Sequence, residues 1–440
     1  MGHDHPAYSL QQHLQASCAR EPAAPRLVAL SGGLDSTALL HALAMLPTVR
    51  AAGLRAVHVH HGLQPQADAW AFHCERLCEG LSLRLDVVRT AVDRSGGLGI
   101  EAAARAARYA ALEPLLASGE VLATAHHRDD QAETFLLRAL RASGPDGLGA
   151  MRPWRDFGAG RHWRPLLEVP RAALLAYATA QALRWVEDPS NGDGDFDRNF
   201  LRLRVMPLLR ERWPHADAAF ARSAMLGAQA SALLEADDLR DLAAVATVDP
   251  RVLSASALQS LDAPRAARVL RRWIGQLGHP PLPGQGVERI ERDLLRARSD
   301  ARARFAWSGV VVQRWRDLLH VDLQREALDA DWCAAWDGAR ALPLPRGGEL
   351  SLLGVDALPW PVRVHARRGG ERIRLAGRTH SHALKQVLQD LGVPPWRRQR
   401  LPLVSRIEGE LVAAGDLAYA APLDAWLRER GACLRWTDGS

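Results

Sequence analysis

The sequence predicts an α/β protein. A doubly wound parallel sheet comes first, then a mainly helical middle domain and a small α+β C-terminal domain. Three observations carry this. Over residues 26–140 short apolar runs alternate with helix-length segments, the pattern of strands joined by crossover helices. From about 215 to 300 the chain is rich in Ala, Leu and Arg at helical spacing. Over 362–440 short strand-like runs flank one clear helix. The expected domains are 20–212, 213–325 and 345–440.

The elements follow in order. Arg26–Leu30 is a short apolar run that ends in Ser-Gly-Gly, and 37–46 then reads as a helix. Residues 55–60 alternate as a strand, 67–80 have helical spacing, and 81–88 alternate again. An Ala-rich helix is expected over 100–116, a strand over 121–125 and a helix over 129–140. Residues 141–165, rich in Gly, Pro and Arg, read as a loop. A helix at 170–181, a short strand at 184–186, a polar turn-rich stretch at 187–199 and a helix at 201–211 complete the first part. The helical middle is interrupted by a Pro/Gly stretch at 278–286, and 303–325 is more strand-like. Around 342–361 Pro and Gly introduce the last segment, whose one helix spans 381–391.

The chain has 440 residues, 48 % hydrophobic and 24 % charged, ordinary values for a globular protein. They exclude disordered, collagen-like and small disulfide-scaffold classes. The net charge of +6 permits a nucleic-acid partner without requiring one. Lys385 is the single lysine, and every other cation is arginine. The five cysteines are scattered and lack CxxC spacing, which suits a reducing compartment. The N-terminus lacks a basic start and an apolar core, and no apolar run is long enough to span a membrane. A cytoplasmic protein with no membrane partner is expected; the sequence leaves the oligomeric state open.

The strongest chemical signal is Ser31-Gly32-Gly33-Leu34-Asp35-Ser36-Thr37, between a strand and a helix. Glycines allow a tight turn that brings backbone N–H groups to phosphate oxygens, and the helix N-terminus adds positive potential. The hydroxyls of Ser31, Ser36 and Thr37 are further donors. Asp35, an anion in an anion site, makes sense as a Mg²⁺ ligand held against phosphates. Neither GxxxxGK[ST] nor GxGxxG is present.

Four further clusters follow. His58-Val59-His60-His61-Gly62-Leu63 closes the second strand and fits either core histidines or the edge of a nucleotide site. Glu101, Arg105 and Arg108 share one helix face, which fits a solvated ion-pair row or arginines that reach phosphate. In Thr124-Ala125-His126-His127-Arg128-Asp129-Asp130-Gln131-Ala132-Glu133-Thr134, Asp130 and Glu133 lie three apart at a helix start. They suit the helix dipole, a cationic amino group or, with histidine, an incomplete metal site. Glu187-Asp188-Pro189-Ser190-Asn191 has turn chemistry, and Arg198 and Arg202 after it are candidates to face RNA phosphates. Over 361–410 there are 11 basic and 4 acidic residues, a concentrated basic patch that contains Trp396 and fits a phosphate-tracking surface.

SGGLDS resembles the loop of the ATP-pyrophosphatase superfamily, whose members cleave ATP between the α and β phosphates and adenylate an oxygen on their substrate. SGGLDS, HVHHGL, EAAARAARY, HHRDDQAET, RPLL (164–167) and EDPSN with RNFLR, in that order, resemble the tRNA(Ile)-lysidine synthetase family. The likeness continues through RVHARRGGERI (363–373), LKQVL (384–388) and GVPPWR (392–397), so Lys385 lies in a family motif. It covers about 26–210 and 362–416; the middle matches only in length and helical character. Leu34 departs from relatives that carry lysine there.

The resemblance implies ATP and Mg²⁺ as cofactors, with free L-lysine and an isoleucine tRNA bearing a CAU anticodon as partners. ATP would adenylate the 2-oxygen of the wobble cytidine, and the lysine side-chain amine would then displace AMP. It implies Ser31, Gly32, Gly33, Leu34, Asp35, Ser36, His58 and His60 as the nucleotide site, with Asp35 on the metal. Asp35, Arg105, His126, Asp130 and Glu133 are implied as catalytic, with Asp130 and Glu133 on the lysine ammonium. Arg108, Arg198, Arg202, Arg368, Lys385, Trp396 and Arg397 are implied in substrate binding, and the middle and C-terminal domains in holding tRNA. The alternative, a 2-thiocytidine-type tRNA thiolase of the same superfamily, is opposed by the lack of a CxxC pair.

Overall fold

The computed structural model describes residues 10–21, 23–62, 64–92, 100–189, 196–296 and 303–439, with the backbone alone over 100–102. The expectations for Leu63, Ser190, Asn191 and the Glu101 side chain lie outside the described residues. The chain divides into two compact units, Met1–Asp237 and Asp238–Ser440.

In the first unit the strands are β1 (Arg26–Ala29), β2 (Leu54–His60), β3 (Leu85–Arg89), β4 (Val121–Ala123), β5 (Trp154–Phe157) and β6 (Gly160–Trp163). They form one sheet of order β3-β2-β1-β4-β6-β5, parallel except for the β5–β6 hairpin. The helices are α1 (Leu10–Ala19), α2 (Leu34–Ala44), α3 (Pro47–Ala52), α4 (Ala67–Gly80), α5 (Ile100–Leu112), α6 (Arg128–Leu140), α7 (Pro145–Leu148) and α8 (Arg171–Ala180). Alternate strand residues serve opposite faces. Val28, Ala56 and Ala123 pack with Leu14, Leu39, Cys74 and Leu174 from α1, α2, α4 and α8. Leu27, Val57 and Leu122 pack the other way, onto Leu112 and Leu116. This is the doubly wound arrangement the sequence predicts.

Three details differ from expectation. Residues 141–165 are not all loop, because they carry α7 and the β5–β6 hairpin. Trp154 and Trp163 pair across that hairpin and stack with ring centroids 5.5 Å apart, and the Arg161 guanidinium lies 4.3 Å from the Trp154 ring. Aromatic and cation–π contacts hold these strands, so WRDF and GRHW offer no apolar period to find. Residues 184–186 form no strand; instead the Val186 N–H donates to the Gly32 carbonyl at 2.9 Å. The strand expected over 81–88 starts only at Leu85, after a turn in which Ser82 has φ +53°.

The first unit closes with α9 (Asp197–Phe200), a π-helical turn at Leu201–Val205, α10 (Met206–Arg212) and α11 (Ala216–Leu233). Pro207 lacks the N–H that an α-helical turn would use, which accounts for an irregular ladder before it. Residues 216–233, expected to open the middle domain, pack on α6 within this unit. Phe135 stacks on Phe220 at 5.8 Å, and Ala132, Met206 and Ala216 share a small core.

The second unit holds two cores. In one, Val269, Leu270, Trp273 and Ile274 of the helix Ala263–Gln276 cover an antiparallel sheet. Its strands are Val252–Ser254, Leu318–Leu323, Val310–Trp315 and Arg304–Trp307, in that spatial order. The middle segment is thus helices on a sheet; three of the strands fall in the strand-like stretch 303–325, and Val252–Ser254 is the one without a sequence signal. The other core surrounds a five-stranded antiparallel sheet of Cys333–Trp336, Val362–His365, Leu403–Arg406, Leu411–Ala414 and Ala418–Tyr419. That sheet takes in 333–336, ahead of residue 345. Three helices accompany it, Leu384–Asp390, Pro395–Arg400 and Ala421–Glu429, where the sequence showed one.

Candidate active site

The carboxyl ends of β1, β2 and β4 open into a cleft of about 910 Å³, the place where open parallel sheets bind ligands. One wall is the turn between β1 and α2. Gly32 has φ +85°, and a Cβ there would lie 3.1 Å from both the Cys74 Sγ and Val186 Cγ2 atoms. The turn therefore needs glycine for both conformation and space. Gly33 is the N-cap of α2.

The hydroxyls hold this turn. Ser36 Oγ lies 3.1 Å from the Gly33 carbonyl and 3.0 Å from Ser31 Oγ, and Gly33 N–H donates to Ser31 Oγ at 3.3 Å. Thr37, expected as a phosphate donor, is fully buried and donates to the Gly32 carbonyl at 3.3 Å. It shapes the loop from behind. Ser31, Gly33, Leu34, Asp35 and Ser36 line the cleft. Asp35 Oδ2 lies 3.6 Å from His127 Nε2, and Oδ1 lies 3.7 Å from Arg171 Nε. Oδ1 is buried yet has no hydrogen-bond partner.

His58, His60 and His61 line a second wall. The Leu30 carbonyl can only accept, so His58 Nδ1, 2.9 Å away, carries the proton. Burial pushes the His58 pKa down. His60 Nε2 lies 3.1 Å from Asp68 Oδ1. Arg105, Arg108 and Tyr109 reach the cleft from α5, and Trp185 to Pro189 line it as well. Trp70 is an aromatic lining residue that the sequence did not single out.

Beyond β4 the backbone turns into α6 through a reciprocal cap. His127 Nδ1 accepts from Asp130 N–H at 3.4 Å, and Asp130 Oδ2 accepts from His127 N–H at 3.0 Å. Buried His127 lies 3.4 to 3.7 Å from carboxylate oxygens of Asp35, Asp129 and Asp130. It ties the α2 turn to α6, a role with no local signal in the sequence. Asp130 lines the cleft. Burial opposes its charge, but His127, Arg198, His126 and Arg202 outweigh that and hold its pKa at about 2.

Glu133 is set back from the cleft lining. It is almost wholly buried, is not among the lining residues, and is paired with arginines. Arg202 donates to both of its oxygens at 2.8 and 3.0 Å, and Arg198 Nε lies at 3.2 Å. Arg202 also donates to Asp130 at 3.0 Å. Burial works against the Arg202 charge, but Glu133 and Asp130 more than compensate and keep its pKa above the usual range. Arg198 donates to Thr134 Oγ1 at 2.7 Å. Both arginines, expected to face RNA phosphates, turn inward onto α6. Arg202 alone of the two lines the cleft.

His126 lines the cleft at the end of β4. Thr124 Oγ1 sits 2.8 Å from His126 Nδ1 and 2.8 Å from His162 Nε2. Burial pushes the His126 pKa down to about 3, and Arg105, Arg164 and Arg198 add to this against Asp130.

Within the second unit, Arg368 and Lys385 are exposed. Trp396 packs edge-on against His320 at 5.3 Å rather than standing free. Arg397 lies over Trp436 at 5.4 Å and lines, with Arg251 and Arg325, a hollow of about 660 Å³.

Comparison with known proteins gives three family matches. Residues 6–209 match a PP-loop domain, 253–320 a TilS substrate binding domain, and 362–436 a TilS substrate C-terminal domain. The chain is similar to the tRNA(Ile)-lysidine synthase of Xanthomonas axonopodis pv. citri, 53 % identical over 94 % of each chain. It is 51 % identical to that of Xylella fastidiosa over 94 % of this chain and 96 % of the relative. The tRNA(Ile)-lysidine synthase of Methylococcus capsulatus is 40 % identical over 94 % and 97 %.

Proposed function

The chain belongs to the tRNA(Ile)-lysidine synthase family, and on that premise we propose that it joins free lysine to the wobble cytidine of a CAU-anticodon isoleucine tRNA in two steps. The cytosine 2-oxygen attacks the α-phosphorus of ATP, and pyrophosphate leaves. The lysine Nε amine then attacks C2, the C2–O bond breaks, and AMP departs with that oxygen. Adenylation is needed because the cytosine oxygen alone is a poor leaving group, whereas AMP leaves as a stabilised anion.

The observation that carries this reading is the shared cleft. One space joins a helix-N-terminal loop suited to phosphates, the arginines of α5, and the ionised Asp130. Backbone N–H groups of the loop hold the phosphates, and Arg105 and Arg108 balance charge on the transferring group. Asp130 receives the ammonium of lysine. Glu133, held as it is, acts by fixing Arg202 beside Asp130. An unstacked cytosine enters between these walls. The middle and C-terminal segments hold the tRNA body.

Asp35 fits a Mg²⁺ ligand, because it lines the cleft at the start of α2 and one of its carboxylate oxygens is buried without a hydrogen bond. Among the described residues no group of three or more His, Cys, Asp or Glu is arranged to hold a metal. That suits an ion completed by phosphate oxygens and water. When bound, Mg²⁺ would neutralise charge on the leaving pyrophosphate.

A thiolase reading finds no support in Cys74 and Cys78. Burial pushes the Cys74 and Cys78 thiols up to about 12 and about 11, far from a reactive thiolate. The test is to supply α-labelled ATP and the tRNA without lysine. Label should accumulate on tRNA as an adenylate and leave as AMP when lysine is added. ATP hydrolysis with no labelled tRNA would overturn the two-step reading.

A further inference from the structure

Behind His126 lies a chain of hydrogen bonds whose direction is set at its far end. Arg155 Nε donates to His162 Nδ1 at 3.0 Å, and Arg164 lies 3.2 Å from the same nitrogen. A guanidinium has no acceptor, so His162 Nδ1 is a lone pair. The ring is completely buried beside these two cations, and burial, Arg164 and Arg155 push its pKa down to about 2. Neutral His162 therefore carries its one proton on Nε2. That proton goes to Thr124 Oγ1, 2.8 Å away. A hydroxyl that has accepted on one side still has one proton to give, and His126 Nδ1 stands 2.8 Å off. With Nδ1 occupied as an acceptor, an uncharged His126 must carry its proton on Nε2.

We infer that Arg155, Arg164, His162 and Thr124 fix His126 as a neutral Nε2–H donor in the cleft, so that His126 acts on substrate as a hydrogen-bond donor and not as a base. Its N–H suits a phosphoryl oxygen that gains negative charge as the α-phosphorus is attacked. Such a donor needs no proton transfer and keeps its form across the working pH range, as a neutral imidazole electrophile does. Thr124, His162, Arg155 and Arg164 are positioning residues because they act through His126. The hairpin β5–β6 thereby gains a purpose. Arg155 lies on β5 and His162 on β6, and the Tyr109 ring lies 4.9 Å from the Arg155 guanidinium. An edge hairpin that otherwise only extends the sheet holds the start of the chain.

The role given to His126 rests on the adenylation reading; its tautomer does not. The test is therefore made on the full chain without substrates. Histidine side-chain ¹⁵N–¹H correlation spectra at pH 7.5 distinguish the two tautomers and the imidazolium. His126→Gln and His162→Gln spectra assign the two rings. Both rings should show a protonated Nε2 and a bare Nδ1. Thr124→Val should turn His126 into a mixture of tautomers and lower the rate of adenylate formation about tenfold, the worth of one hydrogen bond, with the KM for ATP within about twofold. Thr124→Ser should restore both. A wild-type His126 with Nδ1–H, an imidazolium at pH 7.5, or a Thr124→Val spectrum unchanged at His126 would each overturn the inference. The expected tautomer in a protein that makes no adenylate would leave the hydrogen-bond chain standing and refute the function instead.

Discussion

Glu133→Gln separates two roles for a carboxylate that the family resemblance assigns to the lysine site. Glutamine keeps the shape and removes the charge. Arg202 would lose its two-oxygen partner, and Arg198 its ion pair. Breaking a buried pair by removing one partner costs about 3–5 kcal/mol. Here Arg202 keeps 32 % and Arg198 22 % of their side-chain exposure, and Asp130 still accepts from Arg202. Water and Asp130 absorb part of the loss, so about 2 kcal/mol is expected. Because the chain has two units, one unfolding midpoint is a poor measure. Hydrogen exchange of the α6 amides reads the local free energy directly. A cycle with Arg202→Gln isolates the pair, with a coupling of about 1–2 kcal/mol expected. In the lysine reaction, a positioning role lowers the rate and also raises the KM for lysine modestly, through a misplaced Asp130. Unchanged α6 exchange in Glu133→Gln, together with a large rise in the lysine KM alone, would refute this reasoning and return Glu133 to direct contact with lysine.

Gly32→Ala forces a left-handed residue and two 3.1 Å contacts into the phosphate turn; about 2 kcal/mol of local destabilisation and loss of ATP cleavage are expected, read by hydrogen exchange and pyrophosphate release. Asp130 has a native pKa near 2, below the ordinary carboxylate value of 3.8. The unfolded chain therefore binds more protons between those values, and the stabilisation from Asp130 is full above about pH 4 and is lost as pH falls toward 2. Asp130→Asn should flatten the acid limb of a stability–pH curve; an unaltered limb would contradict the assignment. Exposed Cys333 and Cys433 should be alkylated at pH 8 in the native protein while buried Cys74 and Cys78 resist until it unfolds, as peptide mass mapping would show.

The glycine turn at 31–37 and the strand before it are legible because their signals are local: an apolar run, glycines and a helix start. Asp35, His126 and Asp130 follow closely on strand ends, and all three line the cleft. What the sequence hid depends on partners far along the chain. The partner that holds Glu133, Arg202, lies 69 residues later, beyond the reach of any local pattern. His162 lay in a stretch read as loop, since its strand is held by tryptophan stacking instead of apolar alternation. His127 stood beside the singled-out His126, and only the fold shows that it faces three carboxylates. The extra strands of the second unit were missed because segments of two to five residues carry too few periods to read.

The most direct measurement supplies labelled lysine, ATP and Mg²⁺ to the purified protein with a CAU-anticodon isoleucine tRNA, and with initiator methionine tRNA as the control. The account predicts one lysine per isoleucine tRNA, with AMP and pyrophosphate released in equal amounts and no label on the control. ATP cleaved to AMP with no lysine incorporated into the isoleucine tRNA would contradict it.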